Sequence, residues 1–179
     1  HTQSSAASDV YKRQDVKVQI NENKINLEGP KGKRFLEINS EFLNVNVEDG
    51  KIIVAPKDPK NQNKIIWGLQ RSLINNAVIG VGKGYEQTLK LNGVGFRANL
   101  KGKQLQLQLG FSHDIMYDIP EGIDLKVDKQ TTIIINGIDK ELVGKVVADI
   151  KFYKPVEPYK QKGITSEGQF ILKKEGKKK

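Results

Sequence analysis

The same order of secondary-structure signals occurs twice along this chain. In each half, short segments that alternate apolar and polar residues come first, and a single segment with helical spacing follows. Residues 23–29 resemble residues 103–109, and the two helical segments share a glycine, at Gly68 and Gly144. The halves are offset by roughly 80 residues, and self-similarity at a fixed offset indicates repeated units. The sequence therefore predicts one fold used twice.

The first half predicts a small antiparallel sheet packed against one helix. Its strand segments, in which apolar residues occupy every second position, are residues 16–20, 25–27, 35–38, 43–47 and 52–55. Seven apolar residues then recur at helical spacing, namely Ile65, Ile66, Leu69, Leu73, Ile74, Ala77 and Val78. This spacing predicts a helix of about 15 residues that lies across the sheet and ends at Gly80 and Gly82.

The second half repeats this arrangement. Its alternating segments are residues 89–91, 96–100, 105–109, 115–119, 123–127 and 132–135. Residues 139–153 form the matching helix, with Val143, Val146 and Ile150 among the apolar residues on one face. The predicted class is thus α+β, with two tandem duplicated domains, each a small antiparallel sheet packed with one main helix.

The predicted domain boundary falls in a flexible, glycine-spaced segment at residues 80–84. We expect residues 15–82 to form the N-terminal domain and residues 83–179 to form the C-terminal domain with a basic tail. Residues 1–14 are rich in Ser, Ala and Gln, and we predict that they are foreign or disordered. A mitochondrial presequence is the less favoured alternative, because it usually carries several arginines on one helical face.

Positive charge is concentrated at the C-terminal end. Residues 151–179 contain nine lysines and three glutamates, so +6 of the formal net charge of +9 lies there. Such a local excess attracts a nucleic-acid backbone or an anionic membrane surface. Nucleic acid is favoured, because the tail has no long apolar face to bury in lipid and no apolar run approaches the roughly 20 residues of a membrane span.

Catalytic, cofactor and metal sites find little support in the sequence. The chain has no cysteine, which excludes disulfides and thiolate metal sites. The string Gly93-Val94-Gly95-Phe96-Arg97-Ala98 matches a dinucleotide fingerprint, but alternation continues into a hairpin where the fingerprint needs a helix. No nucleophile, base and orienting acid occur in a recognisable arrangement. We therefore expect no enzymatic activity, no cofactor, no metal and no small-molecule substrate.

A proline-stiffened segment at residues 155–164 has the composition of a phosphate-binding loop. Lys160 and Lys162 are two residues apart, so in extended backbone they project to one side and can contact successive phosphates. Tyr159 can stack on an unpaired base, and Gly163 permits a positive backbone angle. The alternative is that Tyr159 packs on the domain and the lysines are only solvated, and the spacing alone leaves both interpretations open.

Four segments carry a family resemblance, in matching order and spacing: Gly84-Tyr85, LKLNGVGFRA at residues 89–98, GFSH at residues 110–113 and EPYKQKGI at residues 157–164. They resemble the bacterial-type large-subunit ribosomal protein L-six family, over nearly everything from Asp15 onward. The resemblance implies a protein without catalysis that binds large-subunit ribosomal RNA chiefly through its C-terminal domain, near the sarcin-ricin loop where translation factors dock. Neighbouring large-subunit proteins are implied partners. The implied location is a ribosome in the cytoplasm, with an organellar ribosome left open.

The RNA-binding residues predicted from the resemblance and the charge pattern are Arg97, His113, Lys154, Tyr159, Lys160, Lys162, Gly163, Lys173, Lys174, Lys177, Lys178 and Lys179. For Arg97, a phosphate clamp and a surface ion pair remain equal alternatives from sequence alone. His113 has no clustered ligands around it and is expected to form hydrogen bonds in a loop. Gln161 departs from the family pattern, which has a small residue at this position.

Two other functions stay open at this point. A free-standing RNA-binding module outside the ribosome would share the charge and the β-rich folds, and cosedimentation with large subunits would distinguish it. A protein-binding scaffold would require the lysine-rich tail to be incidental. Binding to acidic partners, but not to RNA, at moderate salt would support the scaffold.

Overall fold

The structure is a computed structural model that describes residues 8–11, 16–48, 51–57 and 61–176. The chain divides into two compact units, His1–Gly84 and Tyr85–Lys179, called unit 1 and unit 2 below. No helix among the described residues is long and apolar enough to span a membrane.

The described residues of unit 1 form six strands and one helix. They are β1 (Ser8–Tyr11), β2 (Lys17–Asn21), β3 (Lys24–Gly29), β4 (Gly32–Glu37), β5 (Leu43–Glu48), β6 (Lys51–Pro56) and α1 (Asn61–Gly82). The strands form two antiparallel sheets, with the orders β2-β3-β4 and β1-β6-β5. Helix α1 contacts strands of both sheets and covers a core that includes Ile25, Leu27 and Ile52. The Trp67 indole N–H donates to the carbonyl of Val54 at 2.9 Å, and the half-buried Trp67 packs against this core.

Helix α1 differs from its prediction in length and in the face that it buries. It has 22 residues and continues through Gly80. Its buried face contains Ile74, Ala77, Val78 and Val81, whereas the apolar residues Ile65, Leu69 and Leu73 are exposed. The predicted helix across the sheet is present, but three of the seven residues that indicated it do not face the core. Helical spacing places residues 65, 69 and 73 on one stripe, but it does not say which stripe meets the sheet.

Part of the N-terminal segment is ordered. Strand β1 pairs antiparallel with β6, from Ser8 opposite Val54 to Tyr11 opposite Lys51. Ser8–Tyr11 are therefore not disordered, because their backbone groups complete the ladder at an edge of the sheet, while the alternative that the segment is foreign stays a prediction. The other residues of the segment predicted to be foreign or disordered, 1–7 and 12–14, lie outside the described residues.

Unit 2 contains seven strands and one helix. They are β7 (Tyr85–Asn92), β8 (Arg97–Lys101), β9 (Gln104–Gln108), β10 (Ile115–Asp118), β11 (Ile123–Asp128), β12 (Thr132–Gly137), α2 (Lys140–Tyr153) and β13 (Gly163–Ser166). The sheets have the orders β10-β9-β8 and β11-β12-β7-β13, all antiparallel. Asp139 caps α2 by accepting from the backbone N–H of Glu141 at 3.0 Å, which satisfies one of the free donors of the first turn.

The core of unit 2 lies between α2 and its sheets. Val143, Val146 and Ile150 face inward from α2, as the sequence predicted, and pack in a cluster with Leu89 and Ile133 among others. The Tyr117 hydroxyl on β10 donates to Asp149 on α2 at 3.2 Å, and the Tyr117 ring lies edge-on to Tyr153. Burial, followed by the nearby Asp149 carboxylate, raises the pKa of Tyr117 from 10.0 to about 12.

The prediction of two duplicated α+β domains is confirmed. The strands β1 to β6 correspond in order and pairing to β7 to β12, and the main helix follows in both units. Each unit divides its strands between two small sheets, where the sequence predicted one. Alternation shows which residues of a strand face the core, but it leaves open which strands pair. Strand β13 has no counterpart in unit 1, and the sequence analysis did not predict it.

Candidate nucleic-acid interface

Strand pairing brings three loops to one end of unit 2. The first residue of β13, Gly163, lies opposite Asn92, the last residue of β7. Arg97, the first residue of β8, lies opposite Gln108, the last residue of β9. The turn at residues 93–96, the loop at 109–114 and the loop at 154–162 therefore leave the sheets at the same end. Together with Arg97 and Lys173-Lys174, these loops are called the basic end below.

Two glycines make room for an aromatic ring beneath the first turn. A Cβ atom added to Gly93 would lie 2.6 Å from the ring of Phe96, and one added to Gly110 would lie 3.5 Å from it. Gly93 also has a φ of 155°, which other residues rarely adopt. Because Phe96 is buried below the turn, Val94 projects outward and is 97% exposed. Arg97 follows this turn and is exposed.

The loop that carries Tyr159, Lys160 and Lys162 is a closed turn. The Gln161 backbone N–H donates to the Glu157 carbonyl, and the Glu157 N–H donates to the Lys162 carbonyl, both at 3.1 Å. Gln161 is left-handed, with a φ of 57°. The predicted extended backbone is therefore wrong, because these two bonds reverse the chain. Lys160 and Lys162 are both exposed on either side of the left-handed residue, and Tyr159 is 55% exposed.

Gly163 holds this loop against the sheet. Its φ is 141°, and an added Cβ would lie 2.7 Å from the Pro155 carbonyl oxygen and 2.9 Å from that of Lys154. The Ile164 N–H donates to the same Lys154 carbonyl at 3.0 Å. The positive backbone angle expected at Gly163 is present. Because Gly163 is buried, it acts on the shape of the loop.

The C-terminal segment returns across this loop. The Lys174 N–H donates to the Pro158 carbonyl at 2.8 Å, and the Lys151 ammonium donates to the Gln169 side-chain oxygen at 2.6 Å. These bonds place the exposed residues Lys173 and Lys174 beside the turn. Lys177, Lys178 and Lys179 lie outside the described residues.

The third loop adds an aromatic ring. The Lys154 ammonium, just after α2, lies over the ring of Phe111, 5.1 Å from its centroid. His113 is exposed two residues later. The sequence analysis did not select Phe111. Its signal was an apolar aromatic residue between Gly110 and Ser112, in a segment with turn residues on both sides.

The cations of the basic end are unpaired within the described part of the chain. There, no carboxylate forms an ion pair with Arg97 or with Lys160, Lys162, Lys173 and Lys174, whereas Lys33 pairs with Glu28 at 3.3 Å in unit 1. Of the two alternatives for Arg97, the surface ion pair is thus not formed here. Unpaired, exposed cations on one surface are suited to anionic groups that arrive from outside. Among the described residues, no group of three or more His, Cys, Asp or Glu side chains could hold a metal ion.

Comparison with known proteins identifies the family. A model of the ribosomal protein L6 family matches residues 13–84 and again residues 92–167.

The chain belongs to the ribosomal protein L6 family.

Curated relatives match nearly the whole chain. The large ribosomal subunit protein uL6 of Parvibaculum lavamentivorans is 48% identical over 166 residues, which cover 92% of each protein. The uL6 protein of Methylacidiphilum infernorum is 51% identical over 163 residues, or 90% of each. That of Rhizobium rhizogenes is 46% identical and covers 89% of this chain and 90% of the relative. One matched segment of the L6 family model falls in each unit, in agreement with the duplicated fold.

Proposed function

We propose that this protein is a structural constituent of the large ribosomal subunit and binds large-subunit ribosomal RNA through the basic end of unit 2. Membership of the ribosomal protein L6 family supports the assignment to the ribosome. The observation that carries the RNA-binding role is the convergence of three loops at one end of one unit, together with exposed cations that have no ion-pair partner among the described residues, namely Arg97, Lys160, Lys162, Lys173 and Lys174. The proposed contact residues of the basic end are Arg97, Lys154, Tyr159, Lys160, Lys162, Lys173 and Lys174. Lys177, Lys178 and Lys179, which follow in the sequence, are proposed as further contacts.

The proposed mechanism is electrostatic and steric. Lysine and arginine side chains neutralise phosphates and release counterions, which favours binding at low salt. The loop at residues 154–162 is already closed by backbone hydrogen bonds, so binding orders fewer residues. Gly163 keeps the loop in position, and the Phe111–Lys154 contact fixes the neighbouring loop. No bond is made or broken in this role, and it requires no cofactor.

We place the RNA contact near the sarcin-ricin loop and the translation-factor site, as the family resemblance implies. Unit 1 would then contact neighbouring ribosomal proteins. The exposed apolar residues Ile65, Leu69 and Leu73 on α1 support a protein-binding role for unit 1, because an apolar stripe of this kind commonly meets another protein. The proposed location is the ribosome in the cytoplasm, in keeping with the bacterial relatives.

A salt titration tests the RNA-binding surface. Replacing Lys160 and Lys162 together by Ala should flatten the slope of log affinity against log salt by roughly one to two units, because each lysine neutralises about one phosphate. Lys24 and Lys31, which are exposed lysines of unit 1, provide the matched control double variant, with an unchanged slope expected. Filter binding to large-subunit RNA gives the measurement. An unchanged slope in the Lys160/Lys162 variant would refute the assignment.

Gradient fractionation tests the ribosomal role. We expect the native protein to cosediment with large subunits in a sucrose gradient. Sedimentation apart from subunits, with RNA binding retained, would instead identify a free-standing RNA-binding module. Binding to acidic proteins without RNA binding at moderate salt would identify a protein-binding scaffold.

A further inference from the structure

We propose that Phe111 is a stacking platform for an unpaired base of the bound RNA, so that the basic end recognises a loop or bulge nucleotide in addition to phosphates. This inference rests on the proposed RNA-binding function and concerns the same surface. Phosphate contacts fix position along a nucleic acid, whereas contacts to a base select a site. The stacking platform would thus give the interface selectivity that its lysines lack.

The geometry leaves part of the Phe111 side chain accessible. Gly110, with a φ of 80°, turns the chain, and Phe111 lies in the middle of the bend at residues 109–113. The Lys154 ammonium lies over the ring at 5.1 Å from the centroid, yet the residue is 45% exposed. A cation over one face stabilises the ring position through the negative charge of the π face. The ring therefore has a cation over it and keeps exposed surface that a planar partner can contact.

Lys154 is itself fixed by the backbone around it. It is the C-cap residue of α2, where the helix dipole favours a positive charge. Its carbonyl accepts from the Ile164 N–H and packs beside Gly163, so the residue cannot shift without disturbing β13. The position of Phe111 is coupled through Lys154 to the loop that carries Tyr159 and Lys160. A platform that is in place before binding loses little entropy when a base stacks on it.

The charges around Phe111 favour RNA as the partner. Arg97, Lys154, Lys160 and Lys162 lie in the same group of loops and in the adjoining strand end, and Lys173 and Lys174 lie beside them. The carboxylates in these loops and beside Lys173 and Lys174 are fewer, namely Asp114, Glu157 and Glu175. An aromatic ring among cations suits a base that is flanked by phosphates. Bases in a continuous RNA duplex are already stacked, so the partner must present an unstacked nucleotide.

The test combines two kinds of footprint on large-subunit RNA bound by the full-length protein. Hydroxyl radicals report backbone contacts, and base-modifying reagents report the accessibility of individual bases. We expect wild-type protein to protect a stretch of backbone and, within it, at least one unpaired base. In the Phe111→Leu variant the backbone protection should remain at saturating protein, while the base becomes reactive. The affinity should fall by roughly 5- to 100-fold with an unchanged salt slope, because stacking carries no counterion release.

Two further variants make the result specific. Phe111→Trp retains a larger planar surface and should keep the base protected, which separates stacking from a general requirement for the loop. Phe35→Leu makes the same chemical change at an exposed phenylalanine of unit 1 and should change neither footprint. Equal loss of protection in the Leu and Trp variants would overturn the stacking role.

The outcomes also separate this inference from the proposed function. If the wild-type protein protects backbone but no unpaired base changes reactivity in Phe111→Leu, the stacking platform is wrong and the phosphate-binding surface stands. If Phe111→Leu weakens binding of a protein partner and leaves RNA affinity unchanged, the surface around Phe111 contacts protein and the inference fails. If the wild-type protein gives no footprint at all, the proposed RNA binding fails with it.

Discussion

The two units share one fold but differ in the loops next to the C-terminal end of the main helix. In unit 1, a two-residue turn, Pro30-Lys31, closes over the helix end: the Lys31 N–H donates to the Val81 carbonyl at 3.0 Å. In unit 2, a longer loop at residues 109–114 occupies the corresponding place and presents Phe111. The chain then continues through residues 154–162 into β13, which unit 1 lacks. The same scaffold is thus closed in unit 1 and extended into the proposed binding surface in unit 2.

Net charge alone does not distinguish the units. Residues 1–84 contain 13 basic and nine acidic residues, and residues 85–179 contain 17 and 12, so the net charges are +4 and +5. Within unit 2, however, residues 85–150 have a net charge of −1 and residues 151–179 have +6. The comparison shows that the segment after the helix of unit 2 gives the duplicated scaffold a local positive field. The distribution of the charges, and not their sum, determines that field.

The largest expected effects come from replacing the glycine that packs against the end of the main helix in each unit, Gly163 in unit 2 and Gly29 in unit 1. Gly163→Ala should destabilise unit 2 by about 3 kcal/mol, because the new Cβ meets backbone atoms and the φ of 141° disfavours alanine. Gly29→Ala should destabilise unit 1 by a similar amount, since its Cβ would lie 2.4 Å from the Val81 carbonyl oxygen. Only the Gly163 variant should lose RNA affinity.

Unfolding experiments can assign these effects to a unit. Trp67 is the single tryptophan and lies in unit 1, so its fluorescence in denaturant titrations follows that unit alone, while circular dichroism follows both. Gly176→Ala, where an added Cβ meets nothing within 4 Å, is the neutral control. If the unfolding transition measured by Trp67 fluorescence shifted as much in Gly163→Ala as in Gly29→Ala, the two substitutions would not act on separate units.

A smaller effect is expected when the tail lysines are removed. Replacing Lys173 and Lys174 together by Ala should lower RNA affinity roughly tenfold at moderate salt, because two phosphate contacts beside the turn are lost. The backbone bond from Lys174 to Pro158 does not depend on the side chain and should persist. Filter binding at several salt concentrations measures the change. Affinity equal to wild type at every salt concentration would remove these lysines from the interface.

Alkaline pH should weaken the helix-to-strand link of unit 2 and leave that of unit 1 in place. The raised pKa of Tyr117, about 12, means that folding favours its protonated form. The resulting contribution to the free energy of unfolding is fully present below pH 10 and is lost as the pH rises through 12. The corresponding link in unit 1, from Trp67 to Val54, does not titrate in this range.

Tyr117→Phe tests that link. At neutral pH it should cost about 1 kcal/mol of unfolding free energy, the usual contribution of such a hydrogen bond. Above pH 10 the stability of the variant should decline less steeply than that of wild type. Denaturant titrations between pH 7 and 11.5 measure both effects, and parallel alkaline slopes in the two proteins would exclude Tyr117 as the cause.

The smallest expected effect concerns Gln161, the left-handed residue in the loop at residues 154–162. Gln161→Gly should stabilise unit 2 by about 0.5–1 kcal/mol, since relief of the left-handed backbone outweighs the entropy cost of glycine. RNA affinity should stay the same or rise, because the turn is unchanged. Thermal unfolding measures the gain. A destabilised variant would show that the Gln161 side chain makes contacts that outweigh its backbone strain.

Most of the fold could be predicted from the sequence, and the failures have identifiable causes. Alternation located β2 to β12 because apolar residues recur at every second position in most of these segments. Strand β13 was missed because Gly163-Ile164-Thr165-Ser166 contains one large apolar residue and follows a proline-rich segment. The buried face of α1 was partly misassigned, because both faces of that helix carry aliphatic residues.

For the candidate site, the sequence predicted which residue types belong to it but not their arrangement. The positions of Arg97, Tyr159, Lys160 and Lys162 followed from charge, spacing and resemblance. The extended backbone expected for the lysines was wrong, since hydrogen bonds between Glu157, Gln161 and Lys162 close the loop. Phe111 was missed because its local signal, an aromatic residue between turn residues, does not show whether the ring is buried or exposed.

The sequence by itself determined the duplication, the class of fold and the concentration of positive charge near the C-terminus, because periodicity and composition are local properties of the chain. Tertiary structure alone decided that three loops meet at one end of unit 2, because strand pairing joins segments about 70 residues apart, such as Asn92 and Gly163. It also decided which apolar residues are covered. A side chain is buried only when another element packs on it, and the identity of that element is not encoded at the position itself.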